Sequence, residues 1–328
     1  MNMPAGHQPI QPVARQKGVA IVTALLLAAL AITLVMSLFG QQNIQVRSIE
    51  NQRYQLQKQW IIRGALDWAR LILREDARVN QVDYLGEPWS VALADTSLNQ
   101  YVDNQNGSED TADATLSGFI IDAQSRLNLT GLAAGGIVDP KMQAAFERLL
   151  STEGIDTQLA AATATLVAST QAKAAELNQD GSVTSDAIGA KILALTQVDD
   201  LLALPGFTPE TVAKLKDLVV FLPIATPINI NTASAEVISA RIADISLSDA
   251  QQIVTSRDRA YFRDMSDFKS RWTYAKVPVP YETVVSTQTN YFIVHGKVKL
   301  DRSALEVDAL IERTPVSGNT RIVWIRNN

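Results

Sequence analysis

The run from Val19 to Phe39 is 21 residues long, carries no charge and has only three polar side chains, Thr23, Thr33 and Ser37. A helix rises about 1.5 Å per residue, so a run of this length covers the roughly 30 Å hydrocarbon core of a bilayer. The threonine and serine hydroxyls can donate back to carbonyls one turn earlier and do not spoil such a helix. Arg15 and Lys17 precede the run, and Arg47 is the first cation after it. The positive-inside rule therefore places residues 1–18 in the cytoplasm and the rest of the chain outside. A cleaved signal peptide has an apolar core of about 7–15 residues ending in an A-x-A-like site. Here the run is longer and Gln41-Gln42-Asn43 follows. The expectation is a single-pass anchor on residues 19–40, retained in the working protein.

The junction Arg15-Gln16-Lys17-Gly18, then Val19, resembles a type IV prepilin-like leader. In that family a peptidase cuts after the glycine on the cytoplasmic side, the new N-terminus is methylated, and the apolar run stays on the mature chain. The resemblance implies residues 1–18 as a leader, with Gly18 and Val19 as the processing site. Most members carry glutamate at the fifth mature position, and here that position is Thr23.

Charge limits the function classes. Removing the two cations of residues 1–18 leaves 27 basic against 34 acidic side chains, a net −7. Phosphate binding needs clustered Lys and Arg, so an acidic chain does not point to nucleic acid. No cysteine is present, which excludes disulfides, thiol nucleophiles and cysteine-held metals. His7 and His295 stand alone, and neither suggests catalysis or zinc. No G-x-S-x-G, His-Glu-x-x-His or phosphate-loop pattern occurs, and Gly135-Gly136 is too little for a phosphate cradle. The reading is a protein that is not an enzyme and has no catalytic residues.

A length of 328 residues predicts more than one lobe. Gln41 to Val79 reads as a continuing amphipathic helix. Its apolar positions are Ile44, Ile49, Leu56, Trp60, Ile61, Ala65, Trp68, Leu71 and Ile72, with Trp60 and Trp68 as core anchors. A sheet is the natural cover for that stripe. Short β-rich stretches follow at Trp89–Ala94 and Gly118–Asp122, separated by the polar loop Asp103–Asp113. Tyr291–Leu300, Ser303–Glu312 and Arg321–Arg326 read as an antiparallel meander. In the last strand Ile322, Trp324 and Arg326 alternate against Val323 and Ile325.

Between these strands the chain reads as short helices at 141–150, 157–176, 185–196, 198–203, 209–219, 233–243, 248–256 and 265–272. Thr208-Pro209-Glu210 supplies an N-cap with proline at the first helical position, and Ser248 is the expected cap of the later helix. A helical block between strands that must pair predicts an insertion, because loop-closure cost grows slowly with length.

In this order the elements resemble the K-type minor pseudopilin family of type II secretion systems. The match includes the leader, the helix with Trp60 and Trp68, and Asp122-Ala-Gln-Ser-Arg-Leu-Asn128-Leu. It continues through Asp200-Leu-Leu-Ala-Leu-Pro-Gly206, Asn229-Ile-Asn231-Thr-Ala-Ser234 and the Phe262…Phe268 pair. The resemblance implies an α+β, pilin-like fold with a large inserted all-helical domain. Its parts would be the pilin-like halves 41–129 and 281–328 and the insertion 130–280.

The resemblance also implies a role at the tip of a periplasmic pseudopilus, anchored in the inner membrane. The implied partners are the I-, J- and H-type minor pseudopilins, the prepilin peptidase and the inner-membrane assembly platform. Thr23 fits a tip position, since a family habit replaces the fifth-position glutamate where no neighbour stacks above. The family often binds calcium through an acidic stretch in the helical lobe. That stretch is not evident here: the region offers Asn178-Gln-Asp180 and Asp186, which reads as a solvated loop, so no cofactor and no metal residue is expected.

The rival reading is a membrane-anchored helix-hairpin-helix DNA-binding protein. Leu204–Leu215 and Asn229–Val254 resemble two such units, and Arg257, Arg259, Arg263, Lys269 and Arg271 form a basic cluster. Phosphate-binding hairpins use glycine-rich turns. Here the first turn has one glycine, and the second, Ala243-Asp244-Ile245-Ser246, has none and carries an acid.

Overall fold

The computed structural model describes residues 19–98, 114–172, 176–177, 183–185, 192–272, 284–300, 303–314 and 318–327. Gly18, the loop 103–113, Asp180 and Asp186 lie outside the described residues.

The chain opens with helix α1, Val19–Val79, and then β1, Leu93–Ser97, and β2, Ala114–Asp122. Short strands β3, Leu127–Asn128, β4, Ala133–Ala134, and β5, Ile137–Val138, lead into α2, Pro140–Thr152, and α3, Gln158–Ser169. Next come β6, Glu176–Leu177, β7, Val183–Ser185, α4, Pro209–Leu215, β8, Val219–Val220, and β9, Ile228–Asn229. Three helices follow: α5, Ala235–Arg241, α6, Leu247–Arg259, and α7, Met265–Arg271. The chain closes with β10, Val285–Ser286, β11, Tyr291–Leu300, β12, Ser303–Arg313, and β13, Thr320–Asn327.

Two compact units divide at Gln59 and Trp60. The first is the helical stretch up to Gln59, whose side chains from Val19 to Ser37 are exposed. The second, from Trp60 onward, holds a five-stranded antiparallel sheet in the order β1-β2-β11-β12-β13. Strands β2 and β11 pair in register from Asp122–Phe292 to Ala114–Leu300, so residues 123–290 form an excursion between adjacent strands. This is a pilin-like body with a helical insert. Parallel pairs close the neck of the excursion, with Leu127 opposite Val219 and Ile228 opposite Val285.

Three apolar clusters hold this unit. One lies inside the insert, where Phe146, Leu149, Leu215, Ile238, Ile253, Phe262 and Phe268 are buried. A second joins the helix to one face of the sheet through Ile62, Leu66, Ala69 and Leu73 against Leu116, Phe292, Val294 and Val307. Trp89 packs edge-on to Phe292, with ring centroids 5.3 Å apart. A third cluster, Val220, Leu222, Tyr291, Ile293 and Leu310 with Val323 and Trp324, packs the other sheet face against the insert.

Several sequence expectations are corrected. Trp60 is 68% exposed and Trp68 49% exposed, so neither is a core anchor. The buried stripe is instead Ile62, Leu66, Ala69 and Leu73, with steps of four, three and four residues. The two stripes are offset by a fraction of a turn, and both satisfy the helical period. Trp89 sits in a 3-10 turn, Pro88–Ser90, and the strand begins only at Leu93. The 157–176 helix ends at Ser169, and Glu176 belongs to β6. Ser185 ends β7, and 192–196 is irregular. The 209–219 helix stops at Leu215, and Val219 enters β8. The cap of α6 is Ser246, which accepts from Asp249 N while Asp249 accepts from Ser246 N, a reciprocal box two residues earlier than expected. In β13 the register slips between Ile322 and Trp324, so Val323 is an extra residue and the clean alternation is lost. Ile322 then faces the helix-side cluster, while Val323 and Trp324 both join the insert side.

Candidate functional site: the anchor helix and the polar joint

Val19–Ser37 is long and apolar enough to cross a membrane. Thr23 Oγ1 donates to Val19 O and Ala20 O, both at 3.0 Å, and Thr33 Oγ1 donates to Ala29 O at 3.1 Å and Leu30 O at 2.8 Å. Both hydroxyls are satisfied within the helix, so the span presents no unpaired polar group from them. Val19 is the first described helical residue, and Thr23 lies one turn in.

The second feature is a buried polar joint where the sheet meets the insert. Asp122 ends β2 and is shielded from solvent. Its Oδ1 accepts from Gln124 N at 2.7 Å and Thr289 Oγ1 at 2.7 Å. Its Oδ2 accepts from Asn229 Nδ2 at 2.8 Å and Thr232 Oγ1 at 2.6 Å. Four donors fill the lone-pair positions of an ionised carboxylate. Burial pushes Asp122 above the usual carboxylate range, and these hydrogen bonds oppose that shift.

Asn229 also donates to Asp83 O at 3.0 Å, and its Oδ1 accepts from Asn231 N at 3.0 Å. Asn231 imitates a strand pair, donating to Phe262 O at 2.9 Å and accepting from Phe262 N at 2.8 Å. Arg257 Nη1 donates to Ile230 O at 2.8 Å and to Ala233 O. The Asn229–Ser234 stretch is thus gripped from the insert and from the sheet. Asn128 does similar work at the neck, donating to Ile224 O at 2.7 Å and accepting from Leu222 N at 3.2 Å. The stretches around Asp122 and Asn229 are therefore joinery, which ties lobe to sheet.

Asp83, Thr289 and Arg313 complete the joint, and none of them stood out in the sequence. Thr289 N donates to Asp83 Oδ2 at 2.7 Å, and Arg313 Nη2 donates to Asp83 Oδ1 at 2.5 Å. Arg313 also pairs with Asp76 at 2.8 Å and lies 4.7 Å from the centroid of the Phe292 ring. Burial raises Asp83 to about 7; the Arg313 charge pulls it down and the Asp122 charge pushes it further up. A signal did exist for Arg313: a cation two residues beyond the apolar Ala309–Ile311 stretch of an interior strand, on the same face as Ile311, needs a buried partner.

Asp76, Asp83 and Glu87 are the acidic group whose oxygens lie within 4.8 Å of one another among the described residues. Arg313 already bridges two of them. Asp180 and Asp186 are outside the described residues, and no metal role is derived for them.

The hairpin units exist as helix pairs, but their chemistry is internal. Gly206 has φ +106°, and a Cβ there would sit 2.7 Å from Leu159 Cδ2, so this turn faces helix α3. Asp244 takes the left-handed conformation at φ 65° in the second turn. Of the basic cluster, Arg257 is buried on carbonyls, and Arg271 donates to Ala260 O and Tyr261 O and pairs with Asp267. Arg263 also pairs with Asp267. A phosphate backbone would meet an acid at the turn and cations already engaged.

Two family models described as type II secretion system protein K match the chain, at residues 125–224 and 228–285. Type II secretion system protein K of Pseudomonas aeruginosa is 28% identical over 309 residues, covering 90% of this chain and 88% of that one. In these segments and along most of its length the chain is similar to protein K of type II secretion. The matched segments are the insert and its neck, where the joint residues Asn128, Asn229 and Asn231 lie. The crystal structure of the GspK-GspI-GspJ complex from enterotoxigenic Escherichia coli shares the protein K fold. Its TM-score is 0.66 at 20% identity, covering 86% of this chain and 99% of that chain.

Proposed function

We propose that this chain is a minor pseudopilin that caps the tip of a periplasmic pseudopilus and starts its assembly with I- and J-type partners. The observation that carries the proposal is the excursion 123–290 between adjacent strands of a pilin-like sheet. A subunit that carries an extra lobe of that size is ill suited to lie beneath another in a stack. The relative crystallised with GspI and GspJ supports the choice of partners. Thr23 supports the position. A glutamate there would pair with the free ammonium of a neighbour within the membrane, and a tip subunit would leave that charge buried and unpaired. Processing after Gly18, methylation of Val19, a cytoplasmic N-terminus and contacts with an H-type subunit and the assembly platform belong to the same reading. It is a structural role, with no catalytic residue.

Immunogold labelling of a tag in the insert, on pseudopili sheared from cells, tests the placement. Gold at one end of each filament is expected. Gold along the shaft overturns the tip assignment, and failure to co-purify with the I- and J-type subunits overturns the partnership.

A further inference from the structure

Three buried carboxylates and a half-buried one converge at the joint. Asp76 comes from α1, Asp83 and Glu87 from the loop after it, and Asp122 from the end of β2. Arg313, from the end of β12, bridges Asp76 and Asp83. Four acids clustered around one guanidinium leave a net three negative charges in a largely buried site if every acid is ionised. Such an excess is costly, and a proton is the simplest way to relieve it.

The donors indicate where that proton sits. Asp122 accepts four hydrogen bonds, which favour its ionised form against the cost of burial. Glu87 accepts from Trp89 Nε1 at 2.8 Å, Tyr84 N at 3.0 Å and Asn80 Nδ2 at 3.1 Å. Among the described residues Asp83 accepts from Arg313 and Thr289 N, and its oxygens lie within 4.8 Å of those of Asp76 and Glu87, so it sits where the negative charge is densest. Asp83 also anchors both sides of the joint. Its own N–H donates to Thr287 O at 2.9 Å, and its carbonyl accepts from Asn229.

We propose that this joint is a proton-gated latch: a proton held on Asp83 among its carboxylate neighbours keeps the inserted lobe fastened to the sheet, and its loss loosens the lobe. The charged and titratable groups facing Asp83 are Arg313, Asp122, Asp76 and Glu87, with the Tyr84 phenol beyond them titrating far above the relevant range. Burial raises Asp76, Glu87 and Asp122 as well, so the carboxylates around Asp83 all favour retaining a proton in the cluster. Opening the joint hydrates Asp83 and returns it to its ordinary value of 3.8, against about 7 when closed. Between those values the closed state holds a proton that the open state lacks. Each rise of one pH unit then favours opening up to about tenfold, and the effect levels off above the closed-state value.

Hydrogen exchange on the full-length protein in detergent, from about pH 5 to about pH 8.5, reads this directly once intrinsic exchange rates are divided out. Protection of the amides of Asp83, Gln124, Thr289 and Asn290 should fall by up to about a hundredfold between about pH 5 and 7 and then level. Amides of Ile293–Val298 in β11 and of α2 should not follow. Asp83→Asn should make the joint amides independent of pH. Infrared difference spectra of the wild type give a second readout, since a buried protonated carboxyl band should disappear between about pH 6 and 8. Flat protection in the wild type, an unchanged slope in Asp83→Asn, or no such band overturns the latch.

Discussion

Asn229 donates its side-chain amide to Asp122 Oδ2 at 2.8 Å across 107 positions of chain, and the same nitrogen reaches the carbonyl of Asp83 at 3.0 Å. One side chain thus ties together the loop after the long helix, the end of a sheet strand and the exit of the insert. Truncating Asp122 would leave Thr232, Thr289, Asn229 and the Gln124 amide without an acceptor in a closed site. An unsatisfied buried donor costs about 1–3 kcal/mol, so Asp122→Ala should lose about 3 kcal/mol or more. Urea unfolding of the full chain in detergent, compared at fixed pH, measures it. A loss below about 1 kcal/mol would show that the site rearranges or admits water.

Local pattern revealed the sheet and concealed the joint. Tyr291–Leu300 matches its strand at both ends because alternation and flanking turns are local signals. Asp83, Thr289 and Arg313 meet across 206 and 230 positions, and nothing near any one of them announces the others. The helix stripe departs from the sequence pattern for a different reason. Trp60 and Trp68 are large and apolar, but size is not depth, and the groove above the sheet admits Leu66 and Leu73. In β13 one extra residue, Val323, reset a two-residue period that composition alone could not interrupt.

The corrected stripe predicts unequal costs along one helix. Leu73 is fully buried against the sheet, so Leu73→Ala should destabilise by about 2–5 kcal/mol. Trp60 is 68% exposed, and Trp60→Ala should stay within about 0.5 kcal/mol for the isolated chain. Paired denaturant curves decide the matter, and equal losses would restore the tryptophan stripe.

Two glycines should respond in opposite directions to the same added methyl. A Cβ on Gly118 would fall 2.4 Å from the carbonyl oxygen of His295, which is fixed in the β2–β11 ladder. Gly118→Ala should therefore cost about 1–3 kcal/mol. A Cβ on Gly64 meets nothing within 4 Å on an exposed turn of α1, so Gly64→Ala should gain about 0.5–1 kcal/mol through helix propensity. Melting temperatures of the two variants against wild type check both signs at once.

Processing supplies a test at the other end of the molecule. In the prepilin reading the leader ends in Gly18, and the apolar span opens at Val19. A peptidase that accepts glycine there has no space for a long acidic side chain, so Gly18→Glu should accumulate as the uncut chain with secretion lost. Intact mass and N-terminal sequencing of protein recovered from membranes should find wild type beginning at Val19 and the variant retaining residues 1–18. A wild-type chain that starts elsewhere, or a variant of normal mature size that still supports secretion, would remove the prepilin reading. It would leave the span as a plain anchor, since the length and polarity of Val19–Ser37 suffice for that role alone.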